Sequence, residues 1–173
     1  MRRRNGLWAG LGFGASVAAA AWAGSRYSPR DTRTRLWYGR LKKPPFNPPD
    51  SVFPVVWTLL YTLIAISGWR VWRQADSAQR SAALRLWVSQ LILNAQWSKL
   101  FFGKHLPTWS LADVVSLQAA VIRYILKART VDKAAGALFV PYAAWVGFAI
   151  LLNEEIVRRN PGAAKMFPRA REA

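Results

Sequence analysis

Residues 134–153 read AAGALFVPYAAWVGFAILLN, 20 positions without a charge. At about 1.5 Å rise per residue such a helix is about 30 Å long, the thickness of a bilayer's hydrocarbon core. Two more stretches behave alike: 5–25 is free of charge for 21 residues and 51–69 for 19. Segment 86–103 carries only Lys99, and 109–126 only Asp113 and Arg123. Beside three clean spans, these two read better as polar-tinged helices packed inside a membrane bundle than as core helices of a soluble one. The expectation is an all-α integral membrane bundle of five transmembrane helices, at about 6–25, 51–72, 84–103, 109–127 and 134–157. It forms a single domain over 1–173, with a proline-rich roof loop at 36–50 and a basic C-terminal tail at 158–173.

Composition narrows the function. The chain has 173 residues, 53% of them hydrophobic, with 10 Trp, no Cys, one His and a formal net charge of +17. That apolar content excludes disorder. The absence of cysteine removes disulfides, thiolate metal sites and thiol nucleophiles, and a lone His cannot form a His pair for a metal. A basic nucleic-acid-binding protein would gather its cations on one surface, whereas here they flank every span, so no nucleic acid is expected. With five spans the Lys and Arg residues divide eleven to fourteen between the two sides, a split that leaves the positive-inside rule undecided.

The N-terminal apolar run is longer than a signal-peptide core. Gly6, Gly10, Gly14 and Ala18 recur along it at every fourth position, giving one smooth helix face on which a neighbouring backbone can approach. A retained first helix is expected. The Gly10-x-Gly12-x-Gly14 run follows no strand, which argues against a nucleotide loop.

The segment 37–49, WYGRLKKPPFNPP, places four prolines within six residues. It is expected to be non-helical and stiff, able to cover the bundle at little entropic cost. Trp37, Tyr38 and Phe46 give it large rings that a plain linker does not need. Trp57 and Tyr61 fall one turn apart on the second helix; Asn94, Trp97 and Phe101 share a face of the third; Tyr142, Trp145 and Ala149 share a face of the fifth. These faces predict a mostly apolar cavity for a flat ligand, with Asn94 as its polar handle or, equally, as a helix-to-helix hydrogen bond. Trp8, Trp72, Trp87 and Trp109 lie near span ends and are expected in the interfacial belt.

Trp37-Tyr38, Leu41-Lys42-Lys43-Pro44, Asn47-Pro48-Pro49, Val52-Phe53, Trp57 and Tyr61 together resemble the tryptophan-rich sensory protein or translocator protein family, also called the peripheral benzodiazepine receptor. Residues 93–98 with 100–103, Asp113, and Pro141-Tyr142 with Trp145, Phe148-Ala149, Leu152-Asn153 and Arg158-x-Asn160 extend the resemblance through the remaining helices. It implies a five-helix bundle, often a homodimer, that binds protoporphyrin IX, haem or related hydrophobic molecules beneath a roof containing Trp37, Tyr38 and Pro48. Transport, sensing and stress regulation follow as roles of a receptor or carrier. The alternative is an enzyme degrading protoporphyrin IX with light and oxygen. No obligatory cofactor is implied. The lipid bilayer is the other partner, in a bacterial membrane or, in a eukaryote, a mitochondrial outer or other organelle membrane. Phe46, Ser51 and Pro54 depart from the family's usual residues, and Glu154 replaces the Tyr of its proposed sterol motif, so sterol recognition is not expected.

Three charged features remain. Lys42 and Lys43 can meet a porphyrin's propionates or lipid headgroups. Lys99 and Asp113 are counted at similar depth if their helices stop near Gly103 and Trp109, which suggests an ion pair, with snorkelling of Lys99 the other possibility. His105 is either an ordinary loop residue or a ligand for haem iron. No catalytic constellation and no resident metal site are expected.

Overall fold

The computed structural model describes residues 2–28 and 32–163, and every regular element among them is helical. Helix α1 is Arg2–Ser25, α2 Thr32–Arg40, α3 Val52–Trp72, α4 Ala78–Ser98, α5 Pro107–Arg129, α6 Lys133–Leu138 and α7 Val140–Arg159. A π-helical turn, Lys99–Gly103, continues α4, with Lys104 N–H bonded to Lys99 C=O at 2.8 Å. Gly6–Ser25, Val52–Trp72, Pro107–Arg129 and Lys133–Arg159 are long and apolar enough to cross a membrane. The expected span at 84–103 does not join them, since Gln90, Asn94, Gln96 and Lys99 dilute its apolar character.

Local chemistry sets the boundaries. Pro54 lies in the first turn of α3 and Pro107 opens α5, positions whose N–H has no intrahelical acceptor. Ser77 caps α4 by accepting from Arg80 N–H at 3.1 Å, and Asp132 caps α6 by accepting from Ala135 N–H at 3.0 Å. Pro141 lies at the start of α7, where the helix resumes after the break at Phe139 that separates it from α6. The roof is not all loop: α2 runs to Arg40, because proline begins only at Pro44 and nothing in 32–40 forbids a helix. Of the expected C-terminal tail, Arg158 and Arg159 belong to the last turn of α7, and 164–173 lie outside the described residues.

Inside the bundle, α4 packs on α5 and α1, α5 on α7, and α3 on α1 and α6. Leu60, Ile64, Val121, Tyr124, Phe139, Tyr142 and Val146 form the centre of the core. Trp87 is 3% exposed and belongs to this core rather than the interfacial belt. Its indole fills the notch left by Gly68, where an added Cβ would lie 2.5 Å from the Trp87 Nε1, and it donates to Ile64 C=O at 2.9 Å. Trp8 and Trp109, 73% and 67% exposed, suit the belt. The smooth face of α1 is used in part: Gly6 C=O accepts from Trp69 Nε1 at 2.8 Å and Gly10 lies against the same ring, whereas a Cβ added at Gly14 would meet no described residue within 4 Å.

The bundle has two distinct ends. Where α3 finishes and α6 begins, Asp132 binds Arg70 at 3.0 Å and accepts from Gln74 Nε2 at 3.1 Å. Burial alone would raise the Asp132 carboxyl, but the Ala135 N–H, Arg70's hydrogen bond and its positive charge outweigh that and hold it below its ordinary value. The opposite end, where α3 and α5 start and α7 stops, carries the roof.

Candidate ligand site beneath the roof

Three helices meet at a short polar chain. Tyr61 on α3 donates its hydroxyl to Asn94 Oδ1 at 3.0 Å, and Asn94 Nδ2 on α4 donates to the Tyr142 hydroxyl on α7 at 3.0 Å. Tyr142 is fully buried and Asn94 is 7% exposed. An amide so placed needs partners on both sides, and two phenols supply them. Trp57 lies over this chain, its ring 5.1 Å from Tyr61 and 6.2 Å from Tyr142. Trp145, one turn further along α7, contacts Phe53 at 5.9 Å and Phe148 at 5.6 Å, and Ala149 packs on the same core.

A second aromatic group forms under the roof. Trp97 stacks on Phe101 at 5.1 Å with 14° between planes, Phe101 meets Trp37 edge-on at 5.4 Å, and Trp37 stacks on His105 at 4.4 Å. Trp97 packs against both groups and so joins them. His105 takes a left-handed φ of 55° to close the α4–α5 turn, and its Nε2 is 3.4 Å from Thr34 Oγ1. Tyr38 packs on Phe102 at 5.5 Å and receives the Lys43 ammonium over its ring at 3.8 Å. Burial first, and Asp50 second, raise the Tyr38 phenol against a hydrogen bond from Asn47, so it stays neutral. Pro48 is half-buried, with its carbonyl accepting from Asn47 Nδ2 at 2.9 Å; Phe46 rests 6.3 Å from Phe148.

Two asparagines that spacing did not single out hold this end together. Asn153, 1% exposed, accepts at Oδ1 from Trp97 Nε1 at 3.0 Å and from Ser110 Oγ at 2.9 Å, while its Nδ2 donates to Pro107 C=O at 2.9 Å. It therefore fixes the Trp97 indole to the start of α5. Asn160 accepts the Lys42 N–H at 2.8 Å and donates to the Lys42 C=O at 3.0 Å, pairing with the roof backbone as a neighbouring strand would. Trp37 Nε1 adds a bond to Ala163 C=O at 3.1 Å. Lys42 offers its backbone to this clamp and keeps its side chain exposed.

The expected Lys99–Asp113 ion pair does not form. Asp113 accepts from Gln96 Nε2 at 2.8 Å, and Lys99 is exposed. Helix α5 starts at Pro107 rather than Trp109, two residues earlier, which sets Asp113 about 3 Å deeper and level with Gln96. Among the described residues no cluster of His, Cys, Asp or Glu is suited to a metal ion.

A helical membrane protein with an aromatic site between its helices and a proline-rich cover at one end is the class these features define. The TspO/MBR family model matches residues 13–159. The chain is 36% identical over 147 residues to a tryptophan-rich protein TspO of Chlorobaculum tepidum, covering 83% of this chain and 90% of the relative. It is 37% identical over 150 residues to a tryptophan-rich sensory protein of Cereibacter sphaeroides, covering 87% and 90%. To the human translocator protein it is 30% identical over 154 residues, covering 88% and 90%. The chain belongs to the TspO/MBR family.

Proposed function

We propose that this chain is a membrane receptor or carrier for porphyrins, protoporphyrin IX or haem, and related flat hydrophobic ligands, taken between α3, α4 and α7 beneath the roof. The observation that carries the reading is the Tyr61–Asn94–Tyr142 chain, a polar line across three helices walled by Trp57, Trp97 and Trp145. A flat apolar ligand gains area against such rings, and the amide orients it. Lys42 and Lys43, at the roof margin, serve the propionates.

In this reading α4 with its π turn is the fifth span. Its polar Gln90 and Asn94 turn inward and its apolar Val88 and Ile92 are exposed, which suits a helix whose company in the bundle offsets its low apolar content. A homodimer in a lipid bilayer is part of the proposal.

The test is a titration of the detergent-solubilised protein with protoporphyrin IX, read by quenching of tryptophan emission. Asn94→Leu is expected to weaken binding by about 3–10-fold, the size of one or two hydrogen bonds at membrane depth. Unaltered pigment absorbance under illumination supports a receptor or carrier over a degrading enzyme. Absence of quenching in the unaltered protein overturns the reading.

A further inference from the structure

Trp97 joins the two aromatic groups of the candidate site. One face of its indole lies on Phe101, 5.1 Å away and 14° from parallel, and Phe102 meets it at 90°. Among the described residues no ring stacks on the opposite face, and Trp97 is half-buried. The torsion that turns an indole is broad and two-fold, so packing on Phe101 alone leaves the ring free to rock. The bond from Trp97 Nε1 to Asn153 Oδ1, 3.0 Å long, removes that freedom. Asn153 is itself held, with Ser110 Oγ donating to the same oxygen at 2.9 Å and its Nδ2 donating to Pro107 C=O at 2.9 Å. Reversing the amide would set its NH2 against two donors and its oxygen against a carbonyl, so only one orientation is satisfied. The polar edge of the indole is thus used up inside the protein, and what Trp97 has left for a ligand is the face of its ring.

We infer that Asn153 is a positioning residue of the site beneath the roof: by holding the Trp97 N–H it presents that ring face-on, and the site therefore selects planar macrocycles over puckered ones. The inference rests on the porphyrin reading above and adds a rule of selection to it. A planar macrocycle lies parallel to Trp97 over the whole indole, as a further layer on the Trp97–Phe101 stack. A puckered one meets the same ring along an edge and gains less area. Asn153, 1% exposed, acts only through Trp97.

The experiment titrates the full chain in detergent with protoporphyrin IX and with N-methylprotoporphyrin IX, whose N-methyl group tilts one pyrrole out of the plane, both read by quenching of tryptophan emission. The unaltered protein is expected to prefer the planar pigment. Asn153→Leu is expected to bind the planar pigment about 3–10-fold more weakly, the size of one hydrogen bond, and the bent pigment nearly as before, so that the ratio of the two affinities falls. Asn153→Asp keeps an acceptor for the indole in either protonation state and restores the ratio. Exchanging the indole of Trp97 for benzothiophene, a ring of the same shape with sulfur in place of the N–H, leaves Asn153 its bonds to Ser110 and Pro107. It should lower the ratio as Asn153→Leu does, which keeps the inference testable if Asn153→Leu fails to fold. An Asn153 that serves stability alone changes both affinities together or neither, and leaves the benzothiophene protein like the unaltered one; either result overturns the assignment. Equal affinities of the unaltered protein for the two pigments overturn the rule of selection. Quenching by neither pigment overturns the porphyrin reading itself, and this inference with it.

Discussion

The two ends of the bundle are held by different chemistry. At the Asp132 end one carboxylate joins Arg70, Gln74 and the first turn of α6. At the roof end Asn153 and Asn160, both neutral, tie Trp97, Ser110, Pro107 and the Lys42 backbone. Ionic ties respond to acid and salt; amide ties do not. The Asn153 and Asn160 ties at the end that covers the candidate site therefore do not follow solution conditions, whereas the Asp132 ties at the opposite end do.

Replacing Asn153 by Leu is the most severe way to break the neutral end. It strands the Trp97 N–H, while the Ser110 hydroxyl still donates to the Pro107 carbonyl at 2.8 Å, and about 2 kcal/mol of stability should be lost in thermal unfolding, with no change between low and high salt. Asp132→Asn sharpens the contrast at the other end, because an amide still caps α6 but cannot pair ionically with Arg70. A loss of about 1–2 kcal/mol is expected, shrinking in high salt. The folded-state carboxyl of Asp132 lies below its unfolded value, so its contribution is present above the unfolded pKa and lost as pH falls through the folded one. The unaltered protein should thus lose more stability than Asp132→Asn between about pH 6 and about pH 3. Asn160→Asp retains the acceptor for Lys42 N–H and removes the donor to its carbonyl, costing about 1 kcal/mol, whereas Asn160→Leu also speeds hydrogen exchange of the Lys42 amide. Lys99→Met, at an exposed position without a share in either end, should shift stability by less than about 0.5 kcal/mol.

Charge-free length alone revealed α1, α3 and the α6–α7 span, because a bilayer demands about 20 apolar residues in a row. It did not carry α4, expected as a span at 84–103, which is not among the four described helices long and apolar enough to cross a membrane and whose Gln90 and Asn94 are buried against neighbours the sequence does not display. Helical spacing correctly brought Trp57 beside Tyr61 and Trp97 beside Phe101. It could not find the Asn160–Lys42 pairing, which joins residues 118 positions apart. Trp87 was assigned by its distance from a span end, but the notch at Gly68 decided its place. The Lys99–Asp113 pair failed on an error of two residues in one helix start, enough to exchange Lys99 for Gln96.

At the Lys99–Gly103 turn the Lys104 N–H bonds the Lys99 carbonyl, one residue further back than in an α-helix. Over this short stretch the chain behaves as if one residue had been inserted, and everything beyond it is rotated by about 100° relative to an uninterrupted α4. The turn is a phase shifter placed at the end of the Asn94–Trp97–Phe101 stripe: the face that α4 gives to the interior finishes with Phe101 under the roof, and the chain beyond Gly103 leaves on another face.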